Sequence, residues 1–175
     1  MDLNARKIIK NDFVPIFEES ELEYTFNFSP DEELFWSIPL LTLPGNMLLS
    51  YGGNLTFKQK FDVDNPYPVY NNPGTDVILV GDEDSVYWTN PQSFRSGESL
   101  FNQVPLLEKN WFVLNTRTPA SRNVFMGVLK NLRQVLVRAT LADLNREKLS
   151  STSIATVAMD KAGEERRPLA AKGVE

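Results

Sequence analysis

The sequence predicts an all-β fold, an antiparallel β-sandwich or jelly roll, with one short helix near residues 119–131. Three observations carry this. Residues 54–63 alternate, with Leu55, Phe57, Phe61 and Val63 on odd positions and Asn54, Thr56, Lys58, Lys60 and Asp62 on even ones; Gln59 is the exception. A period of two describes a strand with one buried and one wet face. The apolar runs are short and separated by turn residues. Only one stretch, following Thr118-Pro119, changes to helical spacing.

In chain order, residues 1–16 are weakly patterned and read as an arm or an irregular first strand. Residues 22–28 alternate, with Leu22, Tyr24, Phe26 and Phe28 on one face. Leu34-Phe35-Trp36 opens an apolar run that Pro39 and Pro44-Gly45 break. Ser50-Tyr51-Gly52-Gly53 is a turn before the 54–63 strand, and its two glycines admit backbone conformations closed to other residues. Pro66, Pro68, Pro73 and Gly74 mark residues 65–75 as a loop. Val77-Ile78-Leu79-Val80 suits a strand buried on both faces, paired through the Gly81–Asp84 turn with Val86-Tyr87-Trp88. Residues 89–104 read as a second loop, and Trp111-Phe112-Val113-Leu114 as another buried run.

Thr118-Pro119 has the chemistry of a helix start, a hydroxyl cap followed by Pro at the first helical position. Val124, Val128 and Leu132 recur at intervals of four, flanked by Phe125 and Leu129. Val135–Thr140 and Ile154–Val157 return to strand, and the charged, small residues 160–175 read as a linker. The expected organisation is an arm over 1–20, a sandwich over 21–159 and a linker over 160–175.

A chain of 175 residues suits one domain, which buries roughly 70% of the surface its unfolded form exposes. The net charge of −5 is uneven, because residues 1–33 hold nine acidic and three basic side chains. An acidic front end without a basic patch argues against nucleic acid. No apolar run approaches the ~20 residues of a membrane span, and Met1 is not followed by the apolar core of an export signal. With no His and no Cys, the commonest general base, thiol nucleophiles, disulfides and structural zinc are all absent. Zero Cys suits a reducing compartment and equally a domain set within a Cys-rich mosaic.

Five segments, in order, resemble the laminin IV type A domain (laminin B domain) of laminin short arms and perlecan. Phe35-Trp36-Ser37-Ile38-Pro39 is similar to its aromatic-Trp-x-x-Pro opening, and Ser50-Tyr51-Gly52-Gly53-Asn54-Leu55 to its Ser-Tyr-Gly-Gly-x-Leu signature. Asp76-Val77-Ile78-Leu79-Val80-Gly81 resembles its Asp-Val-x-Leu-x-Gly strand. Phe125–Leu132 and Leu136–Thr140 resemble its Phe-Met-x-Val-Leu-x-x-Leu and Ile-Arg-Ala signatures. The chain departs from the pattern at Leu43-Pro44-Gly45-Asn46, where the family often has Leu-Gly-Asp, and residues 1–20 lie outside it. The resemblance implies a secreted, non-enzymatic basement-membrane module on a jelly-roll sandwich. It also implies flanking epidermal-growth-factor-like laminin repeats, which would hold the Cys residues this domain lacks, and contacts with other matrix proteins or glycans.

The candidate sites are few. Asn54-Leu55-Thr56 and Asn27-Phe28-Ser29 are N-glycosylation sequons whose Asn54 and Asn27 fall on expected wet faces, with Pro30 just after the second. Gly52 and Gly53 are the structural turn. Asp82-Glu83-Asp84 and Asp62-Val63-Asp64-Asn65 come nearest to calcium-loop spacing but lack the alternating ligands, glycine and terminal Glu; they read as solvated turns. No cofactor is expected; a structural calcium held by dispersed ligands stays open on a jelly roll, without support from the sequence. A glycosidase needs two carboxylates at a set separation, one with its pKa raised by burial, and these carboxylates lie in turns and on polar faces. Trp36, Trp88, Trp111 and Tyr87 suit either a core or, in the alternative reading of a glycan-binding jelly roll, a sugar-stacking platform; each Trp lies in an apolar run, which favours the core. The loops at 65–75 and 89–104 are the expected contact surfaces.

Overall fold

The computed structural model describes residues 7–9, 22–24, 34–38, 46–63, 74–91, 97–139 and 149–159. Its strands are β1 (Lys7–Ile9), β2 (Leu22–Tyr24), β3 (Leu34–Ile38), β4 (Asn54–Val63), β5 (Val77–Val80), β6 (Ser85–Trp88), β7 (Ser99–Pro105) and β8 (Phe112–Val113), followed by helix α1 (Arg122–Lys130), β9 (Gln134–Arg138) and β10 (Leu149–Met159). Among the described residues they form a six-stranded sheet, order β1-β3-β9-β5-β6-β8, and a four-stranded sheet, order β2-β10-β4-β7. Every pairing is antiparallel except β1 with β3. The all-β sandwich with one helix is therefore the observed architecture.

The two sheets face each other across one core. Trp36, Val77, Leu79, Val86, Val135 and Val137 come from the first sheet, and Leu55, Phe57 and Val104 from the second. Phe125, Val128 and Leu129 of α1 and the following Leu132 complete the cluster. The six-stranded sheet is buried on its other face as well, where Phe35, Ile78, Leu114 and Leu136 form a second cluster. That explains why β3, β5 and β9 read as continuous apolar runs: a strand covered on both faces has no wet positions to mark.

Three expectations are corrected. The helix starts later than Thr118-Pro119, because Ser121 is its N-cap and its hydroxyl accepts from the Val124 N–H at 3.3 Å. The earlier residues are used elsewhere: the Thr118 carbonyl accepts from Val113 N–H at 2.8 Å, and Ala120 N–H donates to Trp111 O at 2.9 Å. Residues 89–104 are not all loop, since β7 begins at Ser99 and pairs with β4 over seven positions. Its pattern hid it: Asn102 faces inward and Phe101 outward, 61% exposed. Finally, Thr56, expected to be wet, is 5% exposed, a small side chain in a strand flanked by β10 and β7. Of the earlier readings, those on residues 1–6 and 10–16, Phe26, Phe28, residues 39–45 and 65–73, Thr140 and residues 160–175 fall outside the described residues, as do the side chains of Phe61 and Val63.

Leu79→Ala, on the inner face, and Leu136→Ala, on the outer, should each cost about 2–5 kcal/mol in urea unfolding. A negligible loss for Leu136→Ala would show that the outer face is not part of the folded interior.

Candidate functional site

The paired-glycine corner is built from short backbone bonds. A 3₁₀ turn at Leu48–Ser50 closes with Ser50 N–H donating to Met47 O at 2.9 Å and Tyr51 N–H to Leu48 O at 3.1 Å. Gly52 then takes φ 84°. This left-handed conformation is readily open only to glycine. It lets Gly52 N–H donate to Leu106 O and Leu106 N–H donate to Gly53 O, both at 3.0 Å, directly before the first β4–β7 pair, Asn54 with Pro105. Gly53 is buried and has no positive φ; its N–H donates to Ser50 O at 2.9 Å.

Side chains tie this corner to the helix. The Tyr51 hydroxyl donates to Glu108 Oε2 at 2.6 Å, and the Arg122 guanidinium lies 5.2 Å from the centre of the Tyr51 ring. The hydrogen bond holds the Glu108 carboxyl below its usual range and raises the Tyr51 phenol. Met47 N–H donates to Leu129 O at 2.8 Å, and the Tyr51 and Trp111 rings meet Phe125 at 6.4 Å and 5.4 Å.

A polar network links the sheets at another point. Arg138, at the end of β9, is 1% exposed. Its Nε donates to Thr75 O at 2.6 Å and stands 3.8 Å from Asp76 Oδ1, while its N–H donates to Asp76 O at 2.8 Å. Gln59 of β4 donates from Nε2 to the Arg138 carbonyl, crossing from one sheet to the other. Asp76 Oδ2 accepts from Asn90 N–H at 2.6 Å, and Asn90 Nδ2 donates to Asn102 Oδ1 of β7 at 2.9 Å. Gly74 lies against the guanidinium, where a Cβ would overlap Arg138 Nη2. Burial of its carboxyl raises Asp76 to about 6, against the pull of Arg138 and the Asn90 N–H.

The acidic turn at Asp82–Asp84 is closed by Gly81 N–H donating to Asp84 O at 2.9 Å, and Arg133 Nε donates to Asp82 Oδ1. That bond holds the Asp82 carboxyl below its usual range. The turn borders a cleft of about 280 Å³ with Asn123 and Asn131. Among the described residues, no three carboxylates stand together as a metal would require. A second cleft, about 260 Å³, is lined by Trp88, Asn90, Pro91, Asn102, Gln103, Pro105 and Asn110. The sequence conceals it, because β7 turns Asn102 inward and Phe101 outward and so lacks the alternation of a strand.

Of the residues singled out from sequence, Gly52 and Gly53 form the corner and Asn54 stands half-buried beside it; Asn27 lies outside the described residues. Trp36 and Trp111 are fully buried, Trp88 faces the same core, and Tyr87 lies on the opposite face of the first sheet, stacked on Phe112 at 5.6 Å. The sugar-stacking platform these rings could have made does not exist. Nor is any described helix long and apolar enough to cross a membrane.

A two-sheet sandwich closed by a capped helix defines a β-sandwich module. The Laminin B (Domain IV) family matches residues 35–175, and the chain belongs to that family. Its structure is also similar to the L4b domain of human laminin alpha-2, with a TM-score of 0.60 and 18% identity over 73% of this chain and 70% of that one. The protein is thus a laminin-like module, of a family that is structural and whose laminin relatives are extracellular.

Gly52→Val should lower stability by about 1–3 kcal/mol through backbone strain, whereas Gly127→Ala, on the open face of α1, should raise it by up to about 1 kcal/mol. Equal melting of the parent and Gly52→Val would contradict the left-handed corner. Because the folded state holds the Asp76 proton more tightly than the unfolded chain, ionisation of this group weakens the fold. Its contribution is most favourable at low pH and declines as pH rises from 3.8 to about 6. Relative to Asp76→Asn, the parent should lose about 2–3 kcal/mol across that window in urea titrations at stepped pH.

Proposed function

We propose that the chain is a non-catalytic spacer and interaction module of a secreted basement-membrane protein of the laminin or perlecan type. It is a folded bead set between epidermal-growth-factor-like laminin repeats on a rod-like arm, and it carries an N-linked glycan on Asn54. The observation that carries this is membership of the Laminin B family over residues 35–175. The fold agrees with it: Trp36, Trp111, Phe35, Phe57 and Phe125 are buried in the interior. Tyr51, Arg138 and the paired glycines act on the fold, positioning backbone and joining sheets. Partner contacts fall to exposed segments, including the outward face of β7. A module exported between Cys-rich repeats needs no Cys of its own, since the sandwich core alone is large enough to hold it folded.

Expression behind an export signal in animal cells tests the reading. The chain should be secreted in a folded, monodisperse form, with a mass excess that peptide N-glycosidase removes and Asn54→Gln abolishes. Retention and degradation of the parent chain would refute the extracellular reading. Secretion without the mass excess would remove the glycan and leave the module.

A further inference from the structure

We propose that the amide-lined cleft beside β7 is a seat for an N-acetylated neutral sugar, and that its occupant is the glycan carried on this chain's own Asn54. This rests on the secreted reading above, because N-glycosylation is confined to chains that enter the export pathway.

The chemistry of the lining comes first. Among the described residues the cleft presents the four amides Asn90, Asn102, Gln103 and Asn110 and no charged side chain. Such a surface offers donors and acceptors together, which suits hydroxyls and acetamides, and it brings no positive charge to offset that of a phosphate, sulfate or carboxylate group. Pro91 and Pro105 provide apolar walls for the C–H face of a ring, beside the small exposed part of the otherwise buried Trp88. Asn102 adds an unmet demand. It is 4% exposed; its Oδ1 accepts from Asn90 Nδ2 at 2.9 Å, and its Nδ2 has no hydrogen-bond partner. Buried amide donors are ordinarily satisfied; this one faces inward with no accessible surface, and a turn of the Asn102 side chain toward the cleft mouth would bring it to the acetamide carbonyl of an N-acetylated sugar.

Placement then selects the occupant. Asn54 stands directly across the β4–β7 ladder from Pro105, and Thr56 stands across from Gln103. Residues paired in an antiparallel ladder project to the same face, and diagonal neighbours lie within reach of long side chains. A glycan leaving Asn54 therefore starts over Pro105 and Gln103, which form one wall of the cleft. Its first sugars are held near the amides at high effective concentration without any gain in intrinsic affinity. A free saccharide or a peptide would lack that tether.

The test is a thermal cycle on the secreted, glycosylated chain and its enzymatically deglycosylated form, each as the parent and as Gln103→Ala/Asn110→Ala. Deglycosylation should lower the Tm of the parent by about 2–4 °C and leave that of the double variant unchanged. Equal lowering in both, or none in either, overturns the proposal. A second measurement does not depend on the variant folding. On unglycosylated chain, the disaccharide N,N′-diacetylchitobiose should give saturable shifts of the Asn102, Gln103 and Asn110 side-chain amide resonances at millimolar concentration. Absence of those shifts overturns the seat. An exported chain with Asn54 bare overturns this inference alone; a chain that fails to be exported overturns the secreted reading with it.

Discussion

At Gly52 the backbone turns left-handed, and that single conformation lets three parts of the molecule meet. The chain leaves the 3₁₀ turn, exchanges two hydrogen bonds with Leu106 and enters β4 already in register with β7. A residue with a Cβ would resist this φ, and the reciprocal bonds to Leu106 would be lost or strained. The register of the four-stranded sheet therefore starts at a position where the side chain has been removed. Because a one-residue slip would send Leu55 and Phe57 to the opposite face, the corner also decides which residues of β4 enter the core. Tyr51 extends the constraint to the helix through Glu108, Arg122 and Phe125.

The buried polar residues give the second constraint. Apolar faces alone would tolerate several ways of sliding one sheet over the other. Arg138 restricts that freedom, since its guanidinium requires the Thr75 carbonyl and the Asp76 carboxylate, while its carbonyl receives Gln59 from the opposing sheet. A misplaced sheet would leave these groups buried without partners, which is expensive in a low-dielectric interior. The cost of the arrangement appears at Asp76, whose carboxyl is held partly out of water and is pushed up to about 6 as a result.

These two devices suit a module whose task is to hold shape. The buried polar side chains and the largest rings are spent inside, on register and on packing, and the exterior is left to turns, amides and the outward residues of β7. The cleft beside β7 follows from the same geometry. It lies where the strand that the Gly52 corner places in register passes the Asn90–Asn102 link of the polar network. A surface feature is thus set by internal constraints, and a glycan at Asn54 would begin at their junction.

Much of this was legible in the residue order. The alternation of β4, the double-glycine turn, the β5–β6 hairpin, the apolar spacing of α1 and five family segments all depend on local rules, in which each residue's neighbours along the chain settle its conformation. What stayed hidden depended on residues far apart in sequence. β7 was unreadable because Asn102 points inward to meet Asn90 and Phe101 points outward, inverting the expected pattern. The helix start was misplaced because Thr118 and Ala120 are drawn into backbone bonds with Val113 and Trp111. By itself, then, the sequence determined the fold class, the family and the place of the Gly52 corner, whereas the close approach of Arg138 to Gly74 and the ordinary φ of Gly53 belong to the tertiary structure. Tertiary structure alone decided the burial of Thr56, Gln59 and Arg138, the amide cleft and its nearness to Asn54, because cross-strand partners are chosen by packing and leave no periodic trace.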